Sequence, residues 1–95
     1  EVAIKLLGSM VPGLGRVEIG IAGKWGTVCE DNWDRSDALV VCRMLGYHDA
    51  VAYTNGKFGR GNHSIVLDEV ECLGNEYSIA NCSHSPWGQS HCKYP

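Results

Sequence analysis

Hydrophobic and polar positions alternate over the first third of the chain. Val2-Ala3-Ile4-Lys5-Leu6-Leu7 is apolar with partial alternation and predicts a strand. Gly8 to Gly15 carries Pro12 and several glycines and predicts a loop. In Arg16-Val17-Glu18-Ile19-Gly20-Ile21 the alternation is strict, with Val17, Ile19 and Ile21 on one face and Arg16 and Glu18 on the other. Ala22-Gly23 offers a turn, and Lys24 to Cys29 returns as the second arm of a hairpin. Glu30 to Arg35 is polar and turn-like. The period then changes: Ala38, Val41, Cys42 and Leu45 fall at helical spacing and predict one buried stripe. Ser36 is the expected N-cap, Asp37 suits the first turn near the positive end of the helix dipole, and Gly46 suits the C′ position.

Beyond Gly46 the pattern weakens. Val51-Ala52-Tyr53 predicts a short strand, Thr54 to His63 a long glycine-rich loop, and Ser64 to Val70 another strand. Ser78 to Cys82 suits a single helical turn, and Ser83 to Pro95 shows no period. Strands with one good helix predict an α+β domain: a curved antiparallel sheet cradling the helix, with long loops.

Composition narrows the class. The 95 residues suffice for one domain spanning 1–95, with 44% hydrophobic content. No apolar run reaches membrane-spanning length, and no signal-peptide core is visible, so the expectation is a mature domain or one cut from a longer chain. The formal net charge of −3, with scattered Lys and Arg, argues against nucleic acid as a physiological partner. Five cysteines, Cys29, Cys42, Cys72, Cys82 and Cys92, predict a disulfide framework and an extracellular setting. The odd count leaves at least one thiol without a partner in this chain. Asn62-His63-Ser64 and Asn81-Cys82-Ser83 are candidate glycosylation acceptors.

Candidate chemistry falls into three sets. Glu30-Asp31 can supply oxygen ligands to Ca²⁺ or form a solvated acidic turn; Asp37, Asp68 and Glu69 make a looser acidic set. Arg16, Lys24, Arg35, Lys57 and Arg60 are candidates for an anionic ligand, against the alternative of dispersed solubilising charge. Cys82, His84, His91 and Cys92 are zinc-capable but lack a C-x₂-C pair. Ser90-His91, Ser83-His84 and His63-Ser64 are neighbours in sequence and do not make a triad, so no catalysis is expected.

Taken together, the residues resemble the scavenger receptor cysteine-rich (SRCR) domain. The resemblance rests on Gly15-Arg16-Val17-Glu18-Ile19, on Gly23-Lys24-Trp25-Gly26-Thr27-Val28-Cys29-Glu30-Asp31-Asn32-Trp33, and on Val40-Val41-Cys42-Arg43-Met44-Leu45-Gly46. Phe58-Gly59-Arg60-Gly61, Leu67 to Glu76, Ile79 to Cys82 and Trp87-Gly88 with Cys92 extend it across nearly the whole chain. Tyr47 stands where the eight-cysteine form has a cysteine, so the chain is similar to the six-cysteine type. The resemblance implies pairs Cys29–Cys92 and Cys72–Cys82. It implies that Cys42 pairs with a last cysteine in a segment after Pro95, which also brings an acidic calcium ligand, so the sequence is expected to be truncated there. Without that segment, Cys42 is expected to stay a quiet buried thiol. Val17-Glu18-Ile19 with Trp25 resembles a segment tied to bacterial binding in some relatives, with Gly20 in place of the usual Leu; Val17 and Ile19 are expected in the core. The implied function is extracellular, non-catalytic recognition. The implied ligands are polyanionic, microbial or protein, bound with help from Ca²⁺, in a scavenger-type receptor or secreted multidomain protein. The alternative is a structural or accessory domain of a larger secreted protease or oxidase.

Overall fold

The computed structural model describes residues 2–54, 56–59, 61, 64–88 and 92. Strands β1 (Val2–Leu7), β2 (Arg16–Ile21) and β3 (Lys24–Val28) form an antiparallel meander, joined at its far edge by β4 (Ile65–Leu67) in the order β1-β2-β3-β4. β4 runs parallel to β3, with Thr27 opposite Ile65 and Val28 opposite Leu67. The sheet is therefore antiparallel except at this last pair. A single α-helix, α1 (Arg35–Met44), and a 3₁₀ turn (Ile79–Asn81) complete the regular structure among the described residues.

The β2–β3 hairpin turns through Ala22 (φ 52°) and Gly23 (φ 82°). Two successive left-handed residues match the right-handed twist of the flanking strands, which is why two-residue hairpins adopt this geometry. Gly23 accepts it without cost; Ala22 carries mild strain.

The helix begins earlier than the sequence pattern predicts. Asp34, not Ser36, is the N-cap, and it forms a reciprocal capping box with Asp37. The Asp37 N–H donates to Asp34 Oδ1 at 3.1 Å, and the Asp34 N–H donates to Asp37 Oδ2 at 2.9 Å. Ser36 looked suitable because it directly precedes Asp37; the spacing that decides the cap is Asp34 to Asp37. At the other end Gly46 (φ 95°) is the C′ residue, with Gly46 N–H bonded to Arg43 O and Tyr47 N–H bonded to Cys42 O.

Ile19, Val28, Val40, Val41, Leu67, Val70, Ile79 and Cys82 form the core between sheet and helix. The buried helical stripe differs from the expected one. Val40 joins Ala38 and Val41, while Cys42 and Leu45 are only half-buried. Residues 51–53 form no strand: Val51 is 70% exposed, and among the described residues no strand pairs with this apolar stretch. The strand expected over 64–70 is cut to three residues. Parallel pairing reaches only Leu67, and Glu69 turns the chain with φ 54°.

Cys29 is bonded to Cys92 and Cys72 to Cys82, with Cα–Cα distances of 5.7 and 4.7 Å. The first closes 63 residues, the second 10. Loop-closure entropy makes them worth about 4 and about 3 kcal/mol. Cys42 carries a free thiol.

Candidate ligand-binding site

The end of β3 and the glycine-rich loop 56–59 form one surface. Glu30 follows β3 directly, and its Oε2 accepts the Gly56 N–H at 2.7 Å. Trp33 N–H closes the acidic turn onto Glu30 O at 3.0 Å, with Asn32 at φ 65°. The loop is itself a tight turn, with Gly59 N–H on Gly56 O at 3.0 Å. Its far side is gripped by Arg16, whose Nη1 donates to Phe58 O at 2.8 Å while Nε pairs with Glu18 Oε2 at 2.9 Å. The acidic turn and the basic loop are thus brought together by a carboxylate from one side and a guanidinium from the other.

That grip changes the role expected for Arg16. Its side chain is 19% exposed and that of Glu18 is 1% exposed, so the pair is internal. Alternation correctly puts both on the sheet face opposite Val17 and Ile19, but this face is covered where residue 61 crosses it. A Cβ on Gly61 would lie 2.8 Å from Arg16 Nε and 2.9 Å from Glu18 Oε2. In this arrangement Arg16 holds the loop, with most of its side chain covered.

Lys57 is presented. It is exposed, with its ammonium 5.2 Å from the centre of the Tyr53 ring, and Tyr53 meets Phe58 edge-on at 5.7 Å. A cation held over one aromatic ring, on a turn anchored at both ends, forms a small preorganised feature. Below it lies a cavity of about 80 Å³ lined by apolar side chains from sheet, helix and loop, among them Leu6, Val28, Trp33, Val41 and Phe58. Cys42 borders this cavity, which accounts for its partial exposure; burial pushes its thiol pKa above the ordinary value, favouring the unreactive protonated form.

The other basic candidates lie apart. Lys24 is exposed at the hairpin turn. Arg35, at the start of α1, pairs with Asp49 in an exposed contact, and Asp49 is held below the usual carboxylate range by the Ala50 N–H and then by Arg35. Arg60 and Asn62 lie outside the described residues.

The acidic candidates separate as well. Asp31 is half-exposed, and its N–H faces Cys29 Sγ at 3.4 Å. Asp37 is fully buried and both its oxygens are taken: Oδ2 by Asp34 N–H and Oδ1 by Cys72 N–H at 2.8 Å. Burial raises its pKa, opposed by those two backbone bonds. Its place is structural, tying the helix start to the loop 72–82. Asp68 is 2% exposed, with Oδ1 on the Glu69 N–H at 2.7 Å, while Glu69 is exposed. Among the described residues, two triplets of metal-capable atoms approach within 4.8 Å: Cys29, Asp31, Cys92 and Cys72, Glu76, Cys82. In each, two of the three atoms are the sulfurs of one disulfide and offer no thiolate. The same bonds remove Cys82 and Cys92 from the zinc set. His91, Ser90 and His63 lie outside the described residues. His84 stacks against Trp87 at 4.8 Å, with Nδ1 2.6 Å from Ser85 O.

Two features were not anticipated. Strand register puts Lys5, Gly20 and Trp25 on one sheet face: Lys5 lies opposite Glu18 and Gly20 opposite Trp25. The indole lies against Gly20, where a Cβ would meet it at 3.0 Å, and the Lys5 ammonium sits 4.1 Å from the ring. The alternation of β1 and β3 carried this signal. The second is Arg43, which clamps the loop 72–82 through Gly74 O at 2.7 Å and Glu76 O at 3.4 Å.

Comparison with known proteins decides the family. The family model described as the scavenger receptor cysteine-rich domain matches residues 7–95. The chain belongs to the scavenger receptor cysteine-rich family. This SRCR domain is 57% identical to galectin-3-binding protein of Rattus norvegicus over 79 residues, 82% of this chain and 14% of that protein. It thus spans a small part of that relative's length. Among solved structures it is similar to the third SRCR domain of murine neurotrypsin, with a TM-score of 0.87 and 38% identity, covering 99% of this chain and 89% of that one. The dimeric form of the SRCR domain of mouse MARCO gives 0.76 and 44%, covering 84% and 76%. Both confirm the α+β architecture of sheet and helix. The disulfides and the family imply an extracellular location. Among the described residues no helix is long and apolar enough to cross a membrane.

Proposed function

We propose that this SRCR domain is a non-catalytic recognition module of a larger extracellular protein, and that it binds polyanionic ligands through the loop that presents Lys57. Sulfated or phosphorylated polymers, microbial surface polymers and acidic protein segments share the necessary chemistry. The observation that carries the reading is the double anchoring of loop 56–59. Glu30 holds Gly56, Arg16 holds Phe58, and Lys57 stands exposed between them over Tyr53. A binding group fixed in advance loses less freedom when a ligand arrives. A Ca²⁺ ion held near Glu30 and Asp31 would add positive charge beside Lys57 and bridge to an anion. The internal positions of Glu18 and Ile19 count against a binding role for the hairpin stretch 17–19 itself.

The test is binding of heparin at fixed ionic strength, with and without a calcium chelator, to the wild type and to Lys57→Ala. Chelation and substitution should each weaken binding. If neither changes the affinity, the proposed site is wrong, and a role as a structural spacer in the parent protein takes its place.

A further inference from the structure

We propose that Asn81 is an N-glycan acceptor that is modified only before the Cys72–Cys82 disulfide closes. The acceptor triplet Asn81-Cys82-Ser83 has a cysteine in the middle, and that cysteine is a disulfide partner. A transferase must engage the Asn amide and the Ser hydroxyl two residues on at the same time. In the folded domain all three residues are tied down. Asn81 N–H is bonded to Ser78 O at 2.9 Å, Cys82 N–H to Ile79 O at 3.1 Å, and Ser83 O accepts Glu71 N–H at 2.9 Å. Cys82 is only 4% exposed. Asn81 itself is exposed, so a glycan added earlier fits the finished fold without displacing core.

The two reactions therefore compete for one segment. In transfer, Asn81 Nδ2 bonds to the anomeric carbon of a lipid-diphosphate-linked oligosaccharide. The carbon–oxygen bond to diphosphate breaks, lipid diphosphate leaves with the electron pair, and the amide gives one proton to the transferase. In closure, the Cys72 and Cys82 thiols exchange with an oxidised dithiol carrier, which takes up their two electrons and two protons. Closure fixes the 3₁₀ turn and ends access. The attached glycan belongs to the same disulfide-closed loop as Leu73 and Tyr77, which are 82% and 97% exposed, and it would shield apolar surface that is otherwise left to water.

The experiment expresses the domain with a secretion signal in eukaryotic cells and measures Asn81 occupancy by peptide mass after enzymatic deglycosylation, in the combined cellular and secreted pools. Wild type is expected to be partly occupied. Cys72→Ser, which keeps the triplet but prevents closure, should raise the occupied fraction about twofold or to completion. A brief thiol reductant during synthesis of the wild type should raise it likewise, independent of how any variant folds. Ser83→Ala should abolish it, and the double change Cys29→Ser with Cys92→Ser should leave it at the wild-type level. Equal occupancy in wild type and Cys72→Ser, or no glycan in either, overturns the proposal. So does an equal rise when the Cys29–Cys92 pair is removed, which would trace the effect to general unfolding.

Discussion

Residues 2–44 and residues 45–92 are held by different means. The first part is built from three strands and one helix, and its backbone groups are satisfied largely by ladders and helical turns. The second contains three strand residues and one 3₁₀ turn among its described residues. Its loops are fixed by side chains that reach out from the first part: Arg16 to Phe58 O, Glu30 to Gly56 N–H, Asp37 to Cys72 N–H and Arg43 to Gly74 O. The regular half rests on a repeating pattern of apolar and polar positions. The irregular half depends on particular polar groups at particular atoms, and the loop that presents Lys57 belongs to it.

The Cys29–Cys92 bond links the end of β3 to the far end of the chain, so its loss should have the largest effect. The double substitution to Ser should cost about 4 kcal/mol, read as a lower urea midpoint. A loss confined to the second half, with the β1–β3 amides still protected from hydrogen exchange, would sharpen the division; simultaneous loss of protection everywhere would break it.

Next in size is the internal ion pair. Arg16→Gln removes the positive charge 2.9 Å from the buried Glu18 carboxylate and releases Phe58 O. It should cost about 3 kcal/mol in denaturant unfolding, the usual effect of removing one member of a buried ion pair. A change below about 1 kcal/mol would show that the loop is fixed by other contacts.

Two carboxylates that fix the loop 72–82 should respond to pH with opposite sign. Glu76 accepts the Leu73 and Gly74 N–H groups at 2.9 and 3.0 Å, and the Leu73 bond chiefly lowers its pKa. Its contribution is present above the ordinary Glu range and is lost as pH falls through the depressed value, so the destabilisation caused by Glu76→Gln should be full at neutral pH and vanish in acid. Asp37 is raised, chiefly by burial. Its contribution is fullest below the ordinary Asp range and declines as pH rises through the raised value, so the wild type should gain on Asp37→Asn as pH falls. Denaturant unfolding across a pH series checks both. Parallel curves for the two variants would contradict the assignment.

The smallest stability effect lies in the regular half. Ala22→Asn places a residue suited to left-handed backbone at the hairpin turn and should stabilise by about 0.5 kcal/mol in thermal unfolding.

The same division explains what the sequence revealed. Alternation in β2 and β3 and the helical spacing of Ala38 and Val41 report burial against a continuous surface, which is a local property. The anchors of the second half join residues 26 to 42 positions apart, and no local period encodes such contacts. Val51-Ala52-Tyr53 has the composition of a strand, but composition cannot reveal that no strand pairs with it among the described residues. Alternation gives the face on which Arg16 lies but not the segment that crosses that face. Lys57 was recognisable as a loop cation; its support by Tyr53, Glu30 and Arg16 was not.

The most direct test compares heparin affinity for Lys57→Ala and Lys24→Ala at one ionic strength. Both remove one exposed positive charge, and neither substitution should alter stability by more than about 0.5 kcal/mol. If the anchored loop is the binding site, Lys57→Ala weakens binding by about fivefold or more while Lys24→Ala, at the hairpin turn, has little effect. Equal losses for both would mean that net charge alone governs binding and would contradict a defined site.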